Sequence, residues 1–343
     1  MATKVFVGMS GGVDSSLTAA LLKEQGYDVT GIYMKNWTRD LPGMVCPWAE
    51  DLADAKRVAV QLGIPFRIYD FEKQYKHKVV DYMVEEYRTG RTPNPDIMCN
   101  QEVKFKLFLD AALEDGADMI ATGHYARTKA GQLLRAVDDN KDQTYFLYRV
   151  TDKALGRTLF PLGELKKTEV RQMAKDRGLV TAGRKDSQGI CFVGQIGIRE
   201  FLSQYVEAEP GDIIDRSANR VVGRHDGAIF YTLGQRHGLN LGGGLPYYVV
   251  GKNMSRNEVY VSRDLNDENI WRQQLRLVDT HWINHPPKGS DELRVRLRHR
   301  GELKPTKLDG DRLILNEPER AVAAGQSAVI YRGDQVLGGG VVA

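Results

Sequence analysis

The feature that most constrains the fold is a glycine-rich turn between an apolar run and an amphipathic stretch near the N-terminus. Residues 4–9 (KVFVGM) are the apolar run, which is typical of a buried parallel strand. Beyond the turn, Leu17, Ala20 and Leu21 recur at helical spacing, and Gly26 marks a typical helix end. The sequence therefore predicts a strand, a tight turn and a helix in immediate succession.

The turn itself, residues 10–16 (SGGVDSS), is predicted to bind phosphate. Backbone N–H groups at a helix start attract anions, and glycine lets the backbone approach a phosphate without a Cβ. Ser10, Ser15 and Ser16 add hydroxyl donors, and Asp14 suits a nucleotide-associated cation. No lysine follows the glycines, which excludes a Walker loop, and the dinucleotide-binding glycine spacing is absent. The alternative is a plain Gly-Ser turn, but the whole segment in this context favours phosphate binding.

Composition indicates a globular chain with more than one domain. It has 343 residues, 27% charged residues and a net charge of +3, so any nucleic-acid surface must be local. No apolar run is long enough to span a membrane, and the N-terminus shows no signal or transit peptide. We therefore expect a cytoplasmic protein without a membrane partner. The cysteines Cys46, Cys99 and Cys191 form no Cys-x-x-Cys pair, so no metal site is expected.

Strand-like and helical segments alternate through the first part of the chain, which predicts an α/β fold with a doubly wound parallel sheet. We expect this domain at 1–200, a small β-rich central domain at 201–270 and a C-terminal β-barrel at 271–343. The predicted strands of the first domain are 28–34, 65–70 and 118–122, and its predicted helices are 52–62, 72–88 and 105–113. The predicted strands of the later domains are 228–232, 247–250, 259–262, 275–278, 293–297, 312–315 and 328–331.

Cys99 is a candidate nucleophile. Residues 90–96 contain two prolines and are predicted to be non-helical, and a helix follows. A thiol at a helix N-terminus has a lowered pKa, and Asp96 could hold or deprotonate a substrate group. A buried structural cysteine beside an aspartate turn explains the same residues equally well.

Cys191 has weaker support from its own surroundings. Arg184 and Lys185 supply positive charge that would favour a thiolate, and Gly189 makes the backbone before the cysteine flexible. Considered alone, this cysteine is better explained as an unreactive, small apolar residue that fills space in the core. Cys46 has no evident partner, and we assign it no role.

The C-terminal part carries a basic segment. Residues 271–307 contain nine Lys/Arg and four Asp/Glu. Arg294, Arg296, Arg298 and Arg300 alternate with other residues, which on a strand would place four guanidinium groups on one face. Such a row suits RNA phosphates, although a solvated outer face of a barrel explains it as well.

Seven motifs give a resemblance that covers the chain from its first strand to its last residues. SGGVDSS resembles the pyrophosphate loop of the ATP pyrophosphatases, which adenylate an oxygen and let a nucleophile displace AMP. Together with NPDIMCN, GHYAR, KDQTYFLY, DSQGICFVG, YTLGQRHGL and GQSAVIY, it is similar to the tRNA-specific 2-thiouridylases, the MnmA/TrmU family. The resemblance implies that sulfur replaces the C2 oxygen of the wobble uridine.

The resemblance also implies roles for individual residues. Asp96 would be the acid/base, Cys191 would carry a persulfide, and Cys99 would attack it to leave a Cys99–Cys191 disulfide. The implied ATP contacts are Gly8, Met9, Ser10, Gly11, Gly12, Val13, Asp14, Ser15, Met34 and Gly123. The implied tRNA contacts are Asn94, Pro95, Asp96, His124, Lys141, Asp142, Gln143, Arg298, His299 and Gln326.

The expected cofactors are ATP and Mg²⁺. The expected partners are the anticodon arm of tRNA and a persulfide donor protein supplied by a cysteine desulfurase. Two alternatives remain open: another pyrophosphate-loop ligase or amidotransferase that needs neither cysteine, and an RNA-binding protein that senses nucleotide without turnover.

Overall fold

The first part of the chain is built on a parallel sheet. The structure is a computed structural model that describes residues 2–41, 45–185, 197–207, 209–242, 244–264, 266–289 and 292–343. The strands of this part are β1 (Lys4–Gly8), β2 (Asp28–Lys35), β3 (Phe66–Asp70), β4 (Met119–Ala121), β5 (Arg127–Lys129), β6 (Gln132–Leu134) and β7 (Thr158–Leu159). Five of them pair in parallel in the order β3-β2-β1-β4-β7, which confirms the doubly wound sheet.

Helices alternate with these strands. They are α1 (Val13–Glu24), α2 (Trp48–Leu62), α3 (Glu72–Tyr75), α4 (Tyr82–Arg88), α5 (Pro95–Met98), α6 (Phe108–Glu114), α7 (Asp152–Leu155), α8 (Lys167–Asp176) and α9 (Ile198–Leu202). A π-helical segment, Lys76–Asp81, joins α3 to α4, and a second one, Cys99–Leu107, joins α5 to α6. Residues 72–88 and 95–114 therefore form two continuous helical rods.

The second rod begins ten residues earlier than the sequence predicts. The prediction that residues 90–96 exclude helix is wrong for Pro95 and Asp96. Proline is tolerated at the first helical position, because its missing N–H would have no intrahelical acceptor there. The Asn94 side chain caps this start by accepting a hydrogen bond from the Asp96 amide at 3.2 Å.

Helix α1 packs between the sheet and α8. This packing fixes the position of the glycine-rich turn that precedes the helix. On one side, Ala19 and Leu22 pack with Val5 and Val7 of the central strand. On the other side, Leu17 packs with α8 in a separate apolar cluster. Both contacts bury aliphatic surface and hold the helix start at the carboxyl end of β1.

The central region is a small mixed sheet with the order β10-β11-β8-β9, in which the β11–β8 pair is parallel and the other two pairs are antiparallel. Its strands are β8 (Gly211–Asp215), β9 (Arg220–His225), β10 (Tyr248–Asn253) and β11 (Glu258–Ser262). The predicted strand at 228–232 is wrong, since Ala228–Phe230 is a buried 3₁₀ turn. A short apolar run bounded by turns does not by itself distinguish the two structures.

The C-terminal region is a closed six-stranded antiparallel β-barrel. Its strands are β12 (Trp271–Trp282), β13 (Leu293–Arg296), β14 (Lys304–Asp309), β15 (Arg312–Arg320), β16 (Ser327–Arg332) and β17 (Gln335–Val342). Pairing of β12 with both β15 and β17 closes the barrel. The β5–β6 hairpin of the first region also pairs with β17, opposite Val336, so the two regions share one sheet.

Among the described residues, none of the helices combines the length and the apolar character that crossing a membrane requires.

Candidate active site

The glycine-rich turn connects β1 directly to α1. Gly11 has a positive φ of 77°, and a Cβ there would lie 2.4 Å from the Asp51 carbonyl oxygen. Glycine is therefore required at this position both for conformation and for space. Among the described residues, no side chain caps α1, whose N-cap is Gly12. The first amides of this helix point into the turn and suit an anion.

The serine hydroxyls of the turn mainly stabilise the turn itself. Ser15 Oγ accepts a hydrogen bond from the Ser10 amide at 3.1 Å. Ser16 Oγ, which is fully buried, donates to the Gly12 carbonyl oxygen at 2.8 Å. The prediction that Ser16 is a phosphate donor is therefore wrong, whereas Ser10 is exposed at the turn.

Other predicted ATP contacts lie around the same strand ends. Gly123 directly follows β4, and a Cβ there would lie 2.8 Å from the Ser15 amide nitrogen. A Cβ on Gly8 would lie 2.9 Å from Met34 Cε on β2. The structure therefore brings these predicted residues together at the point where the sheet order reverses, the usual ligand crevice of such folds. The side chains of Met9 and Val13 are buried, and the Met9 amide donates to the Ile32 carbonyl oxygen at 2.7 Å.

Asp14 already has a cationic partner in this structure. The Lys167 ammonium donates to both carboxylate oxygens of Asp14, at 2.7 and 2.8 Å. The Tyr125 hydroxyl donates to the same carboxylate at 2.9 Å. Sequence reasoning missed Lys167, because it follows Asp14 by 153 positions and stands in no motif. The pairing places one positive side chain beside the turn.

Asp96 and Cys99 lie on the helical rod that begins at Pro95. Burial raises the pKa of the Asp96 carboxyl above its ordinary value, and the Lys104 charge opposes this shift. An aspartate with a raised pKa is a better proton acceptor at neutral pH. Cys99 is 3% exposed and follows the cap residue Asn94 by five positions, so the prediction that it occupies the helix N-terminus is wrong. The dipole effect is concentrated in the first turn, where Asp96 lies.

His124 connects the strand ends to this rod. Its Nδ1 lies 2.8 Å from Thr122 Oγ1, and its Nε2 lies 3.4 Å from the Lys104 ammonium. Burial and the Lys104 charge lower the pKa of His124 well below its ordinary value, so the ring is neutral at physiological pH. A neutral ring accepts from the ammonium at Nε2 and donates from Nδ1 to the threonine. His124 thus links Gly123 to the helix that carries Cys99.

Cys191 lies outside the described residues, so the structure does not test its predicted pairing with Cys99. The Arg184 guanidinium forms ion pairs with Asp51, at 2.5 Å, and with Asp54, and its predicted effect on this cysteine stays a prediction. Cys46 is buried, and burial raises the pKa of its thiol, which disfavours the reactive thiolate.

The predicted tRNA contact at residues 141–143 needs one correction. The Asp142 side chain has 0% exposure and accepts a hydrogen bond from Arg296 of the barrel at 2.8 Å. Its carboxylate therefore joins the first region to the barrel and is out of reach of RNA. Lys141 is partly exposed, and Gln143 accepts a hydrogen bond from the Tyr125 amide at 2.9 Å.

The predicted row of four arginines does not form. Strand β13 ends at Arg296, whose side chain is buried against Asp142 of the first region, and Arg300 has a φ of 61° in the turn beyond. Arg294 and Arg298 are exposed. Two-residue alternation holds only within a strand, and this strand ends before Arg298.

Two of the remaining predicted RNA residues, His299 and Gln326, lie beside segments of the first region. The His299 ring stacks near Phe146, with centroids 4.5 Å apart, which places it beside the segment after residue 143. Arg298 is 60% exposed and forms an ion pair with Glu319. Gln326 follows Gly325, where a Cβ would lie 2.7 Å from the Thr92 amide nitrogen, two residues before Asn94. The barrel therefore contacts the first region both at Phe146 and at Thr92.

Three family models match successive parts of the chain. A tRNA methyl transferase HUP domain matches residues 3–195, a tRNA methyl transferase PRC-barrel domain matches 199–263, and an aminomethyltransferase beta-barrel domain matches 272–342.

Full-length relatives carry a different name from these domain models. The chain is 48% identical to the tRNA-specific 2-thiouridylase MnmA of Geobacillus thermodenitrificans and 47% identical to that of Bacillus cereus, over 99% of this chain and 94% of each relative. A solved 4-thiouridine synthetase in complex with RNA and ATP is a weak likeness, with 21% identity, a TM-score of 0.40, and coverage of 60% of this chain and 50% of that one. The family assignment follows the full-length relatives, because these matches span all three regions of the chain with almost half of the residues identical. The chain belongs to the tRNA-specific 2-thiouridylase family of sulfurtransferase enzymes.

Proposed function

We propose that the protein replaces the C2 oxygen of the wobble uridine of tRNA with sulfur, in a reaction that converts ATP to AMP and pyrophosphate. One observation carries the proposal: contacts run without a gap from the pyrophosphate loop through Gly123 and His124 to Lys104, on the rod that also bears Asp96 and Cys99. A nucleotide at the loop and a base at the rod would thus be neighbours.

The first step activates the uridine oxygen. Asp96 takes the N3 proton of the base, which increases the negative charge on O2, and this oxygen attacks the α-phosphorus of ATP. The bond between the α- and β-phosphoryl groups breaks, and pyrophosphate leaves. The uncapped amides of α1 stabilise the phosphate charge, and the raised pKa of Asp96 makes its carboxylate the stronger base.

The second step delivers sulfur. The Cys99 thiolate attacks the sulfur of Cys191 that carries the persulfide, their disulfide forms, and hydrosulfide is released. Hydrosulfide adds to C2 of the adenylated base and expels AMP, because phosphate is a better leaving group than the original oxygen. A dithiol reductant then supplies two electrons to restore both cysteines.

The substrate and partner assignments belong to the same proposal. Among the described residues, no group of three metal-ligating side chains occurs, and we propose that Mg²⁺ enters on ATP with phosphate oxygens as its main ligands. The regions 1–200, 201–270 and 271–343 would act as catalytic, connecting and tRNA-gripping domains. A persulfide donor supplied by a cysteine desulfurase would load Cys191.

Cysteine variants test the division of the reaction into two steps. With tRNA, Mg-ATP, a persulfide donor and reductant, Cys99→Ser and Cys191→Ser should release pyrophosphate and leave adenylated tRNA without 2-thiouridine, because AMP leaves only when hydrosulfide attacks C2. Cys46→Ser is the matched control, since this thiol is buried in the same region and should not affect thiolation. Full thiolation by Cys99→Ser or Cys191→Ser would overturn the sulfur-transfer step, since sulfur would then reach the base without that cysteine.

A further inference from the structure

Lys167 is placed unusually for a lysine. It is the first residue of α8 and is only 9% exposed. A positive charge at a helix N-terminus is unfavourable, because the helix dipole is positive there, and desolvation of an ammonium adds to this cost. Such a position needs a compensating anion. In this structure, the Asp14 carboxylate supplies it, through contacts of 2.7 and 2.8 Å.

The side chain is held from several directions. The Lys167 amide donates to the Asp138 carboxylate at 2.9 Å, which anchors the backbone. The ammonium lies 5.7 Å from the centre of the Tyr125 ring, whose hydroxyl also binds Asp14. The charge is therefore fixed beside the second residue of α1, where the pyrophosphate loop becomes helix.

The position answers a question that the sequence raises. The loop has glycines and free amides but no lysine after them, whereas Walker loops use such a lysine to contact the β- and γ-phosphates. ATP would bring several negative charges next to Asp14, and amides alone do not neutralise them. Lys167 provides a full positive charge at this point, although it comes from a distant part of the chain.

We propose that Lys167 is the pyrophosphate-binding lysine of this site, which Asp14 holds in place and which contacts the β- or γ-phosphate oxygens of ATP. The inference depends on the proposed function, since it requires a loop that binds ATP. In this role Lys167 transfers no proton and acts only through its charge. It stabilises the charge that grows on pyrophosphate as the bond between the α- and β-phosphoryl groups breaks and the bond from the uridine oxygen to the α-phosphorus forms.

The test compares ligands that do and do not carry the outer phosphates. Isothermal titration calorimetry of the full chain measures the dissociation constants of Mg-ATP, inorganic pyrophosphate and AMP. Lys167→Met should weaken ATP and pyrophosphate binding roughly ten- to hundredfold, as expected for loss of a charge-assisted hydrogen bond, and change AMP binding by less than about twofold. Lys166→Met is the matched control: this neighbour is exposed, and its loss should leave all three constants unchanged.

The outcomes separate the inference from a structural role and from the proposed function. Equal weakening of ATP and AMP would mean that Lys167 only shapes the loop, and unchanged ATP binding would mean that it makes no phosphate contact. Either result overturns the inference while wild-type ATP binding stands. If the wild type bound tRNA but neither ATP nor pyrophosphate, the proposed function would fail. Lys167→Arg should recover part of the ATP affinity, and it serves as the test if the methionine variant does not fold.

Discussion

Arg296→Met tests whether the buried ion pair between the barrel and the first region holds the two together. Arg296 and Asp142 have side-chain exposures of 6% and 0%, and their nitrogen and oxygen atoms are 2.8 Å apart. Methionine keeps much of the side-chain length but removes the charge and all donors. The Asp142 carboxylate then stays buried with only the more distant Arg135 guanidinium, at 3.9 Å, as a cationic partner.

The size of the effect follows from what Asp142 retains. Breaking a buried pair by removing one partner costs about 3–5 kcal/mol. The Thr144 hydroxyl, at 2.9 Å, and the Ala136 amide, at 3.2 Å, still bind the carboxylate, which favours the lower end of that range. The Arg296 guanidinium also lies 5.5 Å from the Tyr331 ring centre, and its loss removes about another 1 kcal/mol. We expect about 4 kcal/mol less stability.

Urea unfolding followed by tryptophan fluorescence measures this change, because Trp271 and Trp282 lie in the barrel. The matched control is Arg294→Met on the same strand, where the exposed side chain should matter by no more than about 0.5 kcal/mol. Equal urea midpoints for the Arg296 and Arg294 variants would refute the reasoning, since loss of the closest cation from a buried carboxylate could not then be costly.

Three further predictions concern the site. Gly123→Ala should raise the KM for ATP at least several-fold, because its Cβ would collide with the loop backbone. Gly183→Ala is the control: a Cβ there meets open space, and the KM should not change. Equal KM values for the two variants would contradict the close packing of Gly123 against the loop. The rate of single-turnover AMP formation should fall at acidic pH as Asp96 is protonated, with a midpoint above the ordinary aspartate pKa near 3.9. The Asp96→Asn variant should not show this acidic decrease in rate. The same pH–rate profile in wild type and variant would exclude Asp96 as the base. Arg298→Glu should weaken tRNA binding at least tenfold and reduce its salt dependence without changing ATP affinity, as gel-shift and calorimetric titrations would show; unchanged tRNA affinity would remove this residue from the interface.

Local patterns in the sequence were sufficient for the parallel sheet and the turn. The strand at residues 4–8, the glycine-rich turn and helix α1 follow from apolar spacing and glycine chemistry within about twenty residues. The order of seven motifs then identified the family, and the full-length relatives confirm it. The strand, the turn and the helix depend on residues that are close together in the sequence.

Features that depend on distant contacts could not be predicted in this way. Lys167 belongs to no motif, and only folding brings it to Asp14. The burial of Arg296 and of Asp142 depends on the contact between the barrel and the first region. Pro95 misled the prediction because the same residue that ends a helix can also begin one. The roles of Asp96, Cys99 and Cys191 stay predictions.

Nucleoside mass spectrometry is the most direct test of the central claim. Unmodified tRNA is incubated with the protein, Mg-ATP, sulfide and reductant, then digested, and AMP is measured in the same reaction. The account predicts 2-thiouridine at the wobble position, with AMP formed in step with it and neither product without ATP. AMP without a thiolated nucleoside would leave the pyrophosphate loop with another acceptor. Tight tRNA binding with neither product would contradict the account.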